Sequence, residues 1–187
     1  IVTAVCCTLD FLKWKYPQLP VELCRDVTFV TTQELEDMYP DLTPKQRENA
    51  YLREHRTAGI LQIGGKLRSG KPHDGRAPDY DDWALNGDIM FYNDVLGCAF
   101  ELSSMGVRVS PESLRAQLAE AGCPERAELP FHRMLLSGEL PFTMGGGIGQ
   151  SRMCMLLLAK EHIGEVQSSL WDAETRRVCR DAGIVLL

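Results

Sequence analysis

Gly87-Asp88-Ile89-Met90-Phe91-Tyr92 and Cys98-Ala99-Phe100-Glu101-Leu102-Ser103-Ser104 are two strand-like runs, and Asn93-Asp94-Val95-Leu96-Gly97 between them reads as a hairpin loop. Two adjacent strands joined by so short a loop must pair antiparallel. The segments on either side support a sheet with helices packed on it. Upstream, Val2, Val5, Cys6, Leu9 and Leu12 recur at helical spacing, so residues 1–15 read as an amphipathic helix that Pro17 and Pro20 end. Val27–Val30 is a short strand. Thr31-x-x-Glu34 is a capping box opening a helix to about Tyr39. Thr43-Pro44, with Gln46, opens a second helix to about His55. Gly59–Gly64 reads as a strand, followed by a long polar loop from Lys66 to Trp83.

Downstream, Ser110-Pro111 starts a helix that Gly122 closes, and a short helix lies near Phe131–Ser137. A strand then leads into a glycine turn. Ser151–His162 reads as a helix stopped by Gly164, Glu165–Trp171 as a last strand and Asp172–Ala182 as a last helix. Runs of helices beside paired strands, without regular βαβ alternation, give the class α+β: a mostly antiparallel sheet flanked by helices.

The chain has 187 residues, 44% hydrophobic and 25% charged, which is enough for one domain with a real core. Its net charge of −6 and pI near 5.3 argue against broad nucleic-acid binding, which needs a basic face. No apolar run is long enough to span a membrane. Seven cysteines without a Cys-x-x-Cys pair argue against a zinc site or a disulfide framework and for reduced thiols in a cytoplasmic protein. The N-terminus has neither an initiator Met nor a signal-peptide pattern and looks like a cut into a longer chain.

Three stretches carry chemistry. Gly145-Gly146-Gly147-Ile148-Gly149-Gln150-Ser151-Arg152 packs four glycines into five positions before an arginine at the start of a helix. Exposed backbone N–H groups beside a fixed positive charge suit a nucleotide phosphate or base; the same glycines also suit a tight strand-to-helix turn. The run is neither a P-loop nor a dinucleotide fingerprint. Arg76 and Asp79-Tyr80-Asp81-Asp82 lie in the long loop, and such a cluster is either a solvated turn or a holder of an ammonium group. Glu101 stands in an otherwise apolar strand, where a buried unpaired carboxylate is costly. It either faces solvent or holds a hard cation such as Mg²⁺ with Asp88 across the hairpin, Arg108 and Arg152 then completing a metal–polyphosphate site. Strict alternation puts Glu101 and Ser103 on one face and Phe100, Leu102 and Ser104 on the other. His55, His132 and His162 read as structural; His73, in the Arg76 loop, is a weak site candidate.

Taken together, Arg76-Ala77-Pro78-Asp79-Tyr80-Asp81-Asp82-Trp83, Leu85-Asn86-Gly87-Asp88-Ile89, Phe100–Gly106 and Gly145–Arg152 resemble, in this order, the aspartate–ammonia ligases, the ammonia-dependent asparagine synthetases. Ile63–Leu67, Met134–Glu139 and His162–Gln167 fit as well, so the likeness runs from about residue 27 onward. The resemblance implies a fold like the catalytic core of class II aminoacyl-tRNA synthetases. It implies a two-step reaction in which ATP activates the side-chain carboxylate of aspartate as β-aspartyl-adenylate, releasing pyrophosphate, and ammonia then displaces AMP. Under it, Arg76, Asp81 and Arg152 are catalytic. Asp88, Glu101, Leu102, Gly147, Gly149 and Arg152 bind ATP, with Asp88 and Glu101 on Mg²⁺. Asp81, Ser103, Ser104 and Arg108 line the aspartate and adenylate region.

Two departures qualify that resemblance. The family is about twice this long, and its first half, absent here, supplies the homodimer contact, an arginine and several aspartate-recognising side chains. Only Ala84 separates Trp83 from Leu85, where the family has a longer loop. The single catalytic domain at 1–187 therefore lacks part of its site. Competing readings are an aspartyl- or asparaginyl-tRNA synthetase core and an inactive nucleotide-binding paralogue.

Overall fold

The computed structural model describes residues 1–187. Five strands form one sheet in chain order: β1 (Thr28–Thr31), β2 (Thr57–Leu61), β3 (Asp81–Asn93), β4 (Cys98–Arg108) and β5 (Met144–Ile148). β1 and β2 are parallel and every other neighbouring pair is antiparallel, so the sheet is mostly antiparallel as the hairpin implied. The hairpin closes through Asn93, whose buried side chain accepts from the N–H groups of Val95 (3.0 Å) and Leu96 (3.2 Å).

Helices cover both faces. α2 (Thr32–Met38) and α3 (Pro44–His55) start at the two capping boxes, with Thr31 N–H donating to Glu34 at 2.7 Å and Thr43 N–H to Gln46 at 2.9 Å. They bury Leu35, Tyr51 and Leu52 against Val30, Ala58, Ile60, Ile63 and Met90. On the opposite face α1 (Val2–Lys15) and α6 (Gln150–Leu157) bring Val5, Leu9, Leu156 and Leu157 onto Phe91 and Leu102. Each such buried side chain contributes about 1.5–3 kcal/mol. α4 (Pro111–Glu120) and α5 (Pro130–Leu136) close a smaller cluster of Val109, Leu114, Leu118 and Leu135 beyond the end of β4. α7 (Ala173–Asp181) is capped by Asp172.

Four expectations need correction. The long loop ends at Tyr80, because Asp81 already pairs with Arg108 and opens β3. The glycines at 145–147 are not a turn; they are the edge strand β5, laid against β4. α6 stops at Leu157, well before His162. Ala159 takes a left-handed φ of 52°, and the N–H groups of Ala159 and Lys160 return to the carbonyls of Leu156 (3.3 Å) and Met155 (2.9 Å). This closure normally uses glycine, so the sequence carried no signal for it. No strand forms at 165–171. Glu165 instead accepts the N–H groups of Glu161 (2.8 Å) and His162 (3.1 Å), winding the chain into a short 3₁₀ turn.

The ladder between β3 and β4 is interrupted twice. Asp81 pairs with Arg108 and Asn86 with Gly106, so residues 82–85 stand outside the pairing, at the place where the resemblance flagged a shortened loop. Farther on, Ile89 pairs with Ser103 but Met90 with Glu101, which makes Leu102 a bulged extra residue. Beyond β2, where Gln62 has a φ of 60°, the Asn86 side chain replaces a strand neighbour. It accepts from Ile63 N–H at 2.8 Å and donates to Ile63 C=O at 2.7 Å, both buried. Asn86→Ala leaves both groups unsatisfied and is expected to cost about 2–4 kcal/mol, read as a lower urea midpoint at unchanged slope. A midpoint within error of the parent would refute this role.

Candidate functional site

The bulge at Leu102 decides the site. Asp88 and Met90 share one face of β3, Ser104 stands opposite Asp88, and Glu101 stands opposite Met90. Glu101 therefore joins Asp88 and Ser104, contrary to the face assignment from strict alternation. Ser103 lies opposite Ile89, turned to the other face, where its buried hydroxyl donates to the Gly147 carbonyl at 2.8 Å. Its hydroxyl is spent on strand pairing, and the substrate-lining role expected for Ser103 is withdrawn.

The acidic residues on this face are each met by an arginine. Asp88, 3% exposed, is paired through Oδ2 with the Nη2 of Arg76, whose Nη1 also donates to Ser104 Oγ at 3.4 Å. Asp88 Oδ1 is buried with no partner. Burial pushes the Asp88 carboxyl above its ordinary pKa. The Ser104 hydroxyl and Arg76 pull the other way, and the nearby Glu101 charge adds to the rise. Arg152, in the first turn of α6, is 3.0 Å from Glu101 Oε1 and donates to the Glu101 carbonyl at 3.3 Å. Asp81 is paired with Arg108, and the Arg108 guanidinium lies 4.1 Å from the Tyr80 ring centre and donates to its hydroxyl at 3.0 Å.

Glycines make the room. Gly106 and Gly145 are paired across β4 and β5. A Cβ on Gly106 would stand 2.7 Å from Asp81 Cγ, and one on Gly145 would overlap the Arg108 guanidinium. Both strands must be bare there for the Asp81–Arg108 pair to lie flat on the sheet. Gly149 donates its N–H to the Leu102 carbonyl at 2.8 Å, and its missing Cβ leaves space for the Arg152 stem. Nothing stands within 4 Å of where a Gly147 Cβ would be.

These groups line one cavity of about 550 Å³, bounded by Tyr80, Asp81 and Arg108 at one end and by Glu101, Gly147, Gly149 and Arg152 at the other. That volume is ordinary for a small-molecule site. Ser104 and Leu102 are on its wall. Asp88 and Arg76 lie behind Ser104, outside the lining. Sequence reasoning did not assign Gln150, Ser151, Ile163 or Gln167, which also line it. Gln167 arrives only through the turn at 163–165, where the sequence instead suggests a strand beginning at Glu165. No three His, Cys, Asp or Glu side chains cluster closely enough to share a metal ion, so Asp88 and Glu101 remain a two-carboxylate set.

The raised Asp88 pKa has a measurable consequence. A carboxyl held protonated more firmly in the folded chain contributes stability that is fully present below the ordinary aspartate pKa and is lost as pH rises through the raised folded value. Asp88→Asn removes that dependence. The variant is expected to gain stability relative to the parent as pH rises from the acid range to neutrality, in urea melts run across a pH series. A stability difference that stays constant with pH would contradict this.

A family model described as Aspartate-ammonia ligase matches residues 1–183. The aspartate–ammonia ligase of Clostridium perfringens strain 13 is 58% identical over 180 residues, covering 96% of this chain and 54% of that protein. That of Clostridium tetani is 60% identical over 180 residues, covering 96% and 53%. The chain spans about half the length of the curated relatives it matches. Among solved structures, asparaginyl-tRNA synthetase from Pyrococcus horikoshii matches with a TM-score of 0.57 at 17% identity, over 86% of this chain and 40% of that one. Aspartyl-tRNA synthetase from Entamoeba histolytica matches with a TM-score of 0.55 at 19% identity, over 85% and 36%. At such identities the likeness is one of fold, and the fold is that of the class II synthetases. With a family model matched along almost its whole length, the chain belongs to the aspartate–ammonia ligase family.

Proposed function

We propose that this chain carries much of the active site of an ATP-dependent ligase that forms asparagine from aspartate and ammonia. The observation that carries the reading is the single cavity with one arginine–carboxylate pair at each end, Arg152–Glu101 and Arg108–Asp81. Two charged ends suit a long substrate pair, a nucleotide triphosphate at one and an amino acid at the other. Arg152 and the open backbone at Gly147 and Gly149 take the nucleotide end, where a guanidinium matches phosphate or stacks on the base. Arg108, Asp81 and Ser104 take the aspartate end.

In the first step a side-chain oxygen of aspartate attacks the α-phosphorus of ATP, and pyrophosphate leaves. In the second, the nitrogen of ammonia attacks the activated carbonyl carbon, AMP leaves with the oxygen, and the nitrogen gives up one proton to solvent. Both steps gather negative charge on phosphate oxygens; Arg152, on the cavity wall, would neutralise it directly, and Arg76, behind Ser104, would add its charge from the layer beneath. Asp81 lies beside the aspartate or ammonia. The residues also fit Mg²⁺: two carboxylates are hard oxygen donors, and the orphaned Oδ1 of Asp88 has an unused acceptor. Asp88 and Glu101 would hold that ion, which would neutralise the phosphates of ATP. A cytoplasmic homodimer that draws further aspartate-binding groups from sequence outside this chain belongs to the same proposal.

Supplied with ATP, Mg²⁺, aspartate and ammonium, the protein is expected to make asparagine and AMP in equal amounts. Arg152→Ala should lower aspartate-dependent ATP–pyrophosphate exchange by about 10²-fold or more, the scale of removing one preorganised charge. Parent-like exchange in that variant would refute the role of Arg152, and a requirement for tRNA would favour a synthetase instead. Gly145→Ala should keep the fold, because the group in its way is the movable end of Arg108, but raise the KM for aspartate about tenfold by displacing that end. An unchanged KM for aspartate would remove Arg108 from the amino-acid end.

A further inference from the structure

Between β2 and β3 the chain runs from Gln62 to Tyr80 without a helix or strand. A stretch that long in a compact domain has to be tied down or it will wander. Its first part is tied to α2 and α4 by contacts that are mostly exposed. Lys66 N–H donates to Glu120 (2.9 Å), Arg68 reaches Asp37 (2.8 Å), and Ser69 Oγ donates to Glu36 (2.6 Å). Its second part carries Arg76 and is tied differently.

Three residues before Arg76, His73 is buried with its Nε2 at 3.0 Å from Glu48 Oε1 of α3, and Glu48 is buried too. Three residues after Arg76, Asp79 Oδ2 lies 3.0 Å from the Nε2 of His132, buried in α5. Arg126 also reaches Asp79, at 3.4 Å. In both rings Nδ1 is buried with no partner. Each Nε2 faces a carboxylate oxygen, which cannot donate, so the imidazole N–H donates to the carboxylate. Between the two anchors Asp74, Gly75 and Ala77 are exposed, and a Cβ on Gly75 would touch nothing. Neither histidine lines the cavity.

An exposed tie would hold this span more cheaply, since each imidazole nitrogen buried without a protein partner carries a desolvation cost. What two ties, each to a buried histidine, add is a fixed position for the residue midway between them. We infer that His73–Glu48 and His132–Asp79 are positioning pairs, set on either side of Arg76, that hold its guanidinium against Asp88 and Ser104. Both histidines act through Arg76 and neither touches substrate. The kinetic part of this inference rests on the ligase reading above; the placement part does not.

The test combines hydrogen exchange with a mutant cycle on the full-length protein. His132→Leu is expected to speed exchange of the amides from Gly75 to Tyr80 by about tenfold or more while β2, β3 and β4 keep parent protection. It should lower kcat/KM for ATP about tenfold in the parent background and have no further effect in Arg76→Ala, the non-additivity of residues acting as one unit. His132→Gln, which restores an N–H toward Asp79, should recover most of both losses, and Asp79→Ala should reproduce them from the loop side. Unchanged exchange at 75–80, additive kinetics with Arg76→Ala, or a general loss of protection in both His132→Leu and Asp79→Ala would each overturn the assignment. A parent protein that makes no asparagine would refute the ligase reading alone, and the exchange result would still decide the positioning.

Discussion

One extra residue in β4 governs the site. Without the bulge at Leu102, the period of two would send the Glu101 carboxylate to the face where Phe91, Leu156 and Leu157 pack, and leave Asp88 without a second acid nearby. With it, Leu102 enters that core while Glu101 turns toward Asp88 and Ser104. A single backbone irregularity thus satisfies the apolar face and builds the polar one.

The polar face survives because its carboxylates are matched. Asp81, Asp88 and Glu101 meet Arg108, Arg76 and Arg152 respectively. Leaving Asp81 or Asp88 buried and alone would cost several kcal/mol. Pairing keeps the ligand-free site foldable, and it leaves each arginine able to turn part of its five-donor fork to an incoming phosphate or carboxylate. The least compensated of the three is Asp88, whose carboxyl burial pushes above its ordinary pKa and whose Oδ1 has no protein partner.

Much of this was legible before any coordinates. The capping boxes at Thr31 and Thr43 and the hairpin around Asn93 are short-range features whose geometry follows from neighbouring residues. The blocks Arg76–Trp83, Phe100–Gly106 and Gly145–Arg152 hold most of the residues that line the cavity. The misses share a cause. The end of α6 at Leu157, the turn at Glu165 and the face that Ser103 takes each depend on a hydrogen bond or a ladder register that local composition does not encode. The sequence reading also left the histidines as structural or weak candidates. Only their partners, Glu48 on α3 and Asp79 in the loop, show what they hold.

The amino-acid sequence by itself determined most of the element types, the mostly antiparallel character of the sheet and the residue types that chemistry would use, because capping, patterning and turn preferences act over a few residues. The tertiary structure alone decided which face Glu101 takes, which glycines stand under the Asp81–Arg108 pair and which carboxylate each arginine meets. Those choices join residues far apart in the chain, and they are set by strand register and side-chain volume, neither of which exists until the sheet has formed.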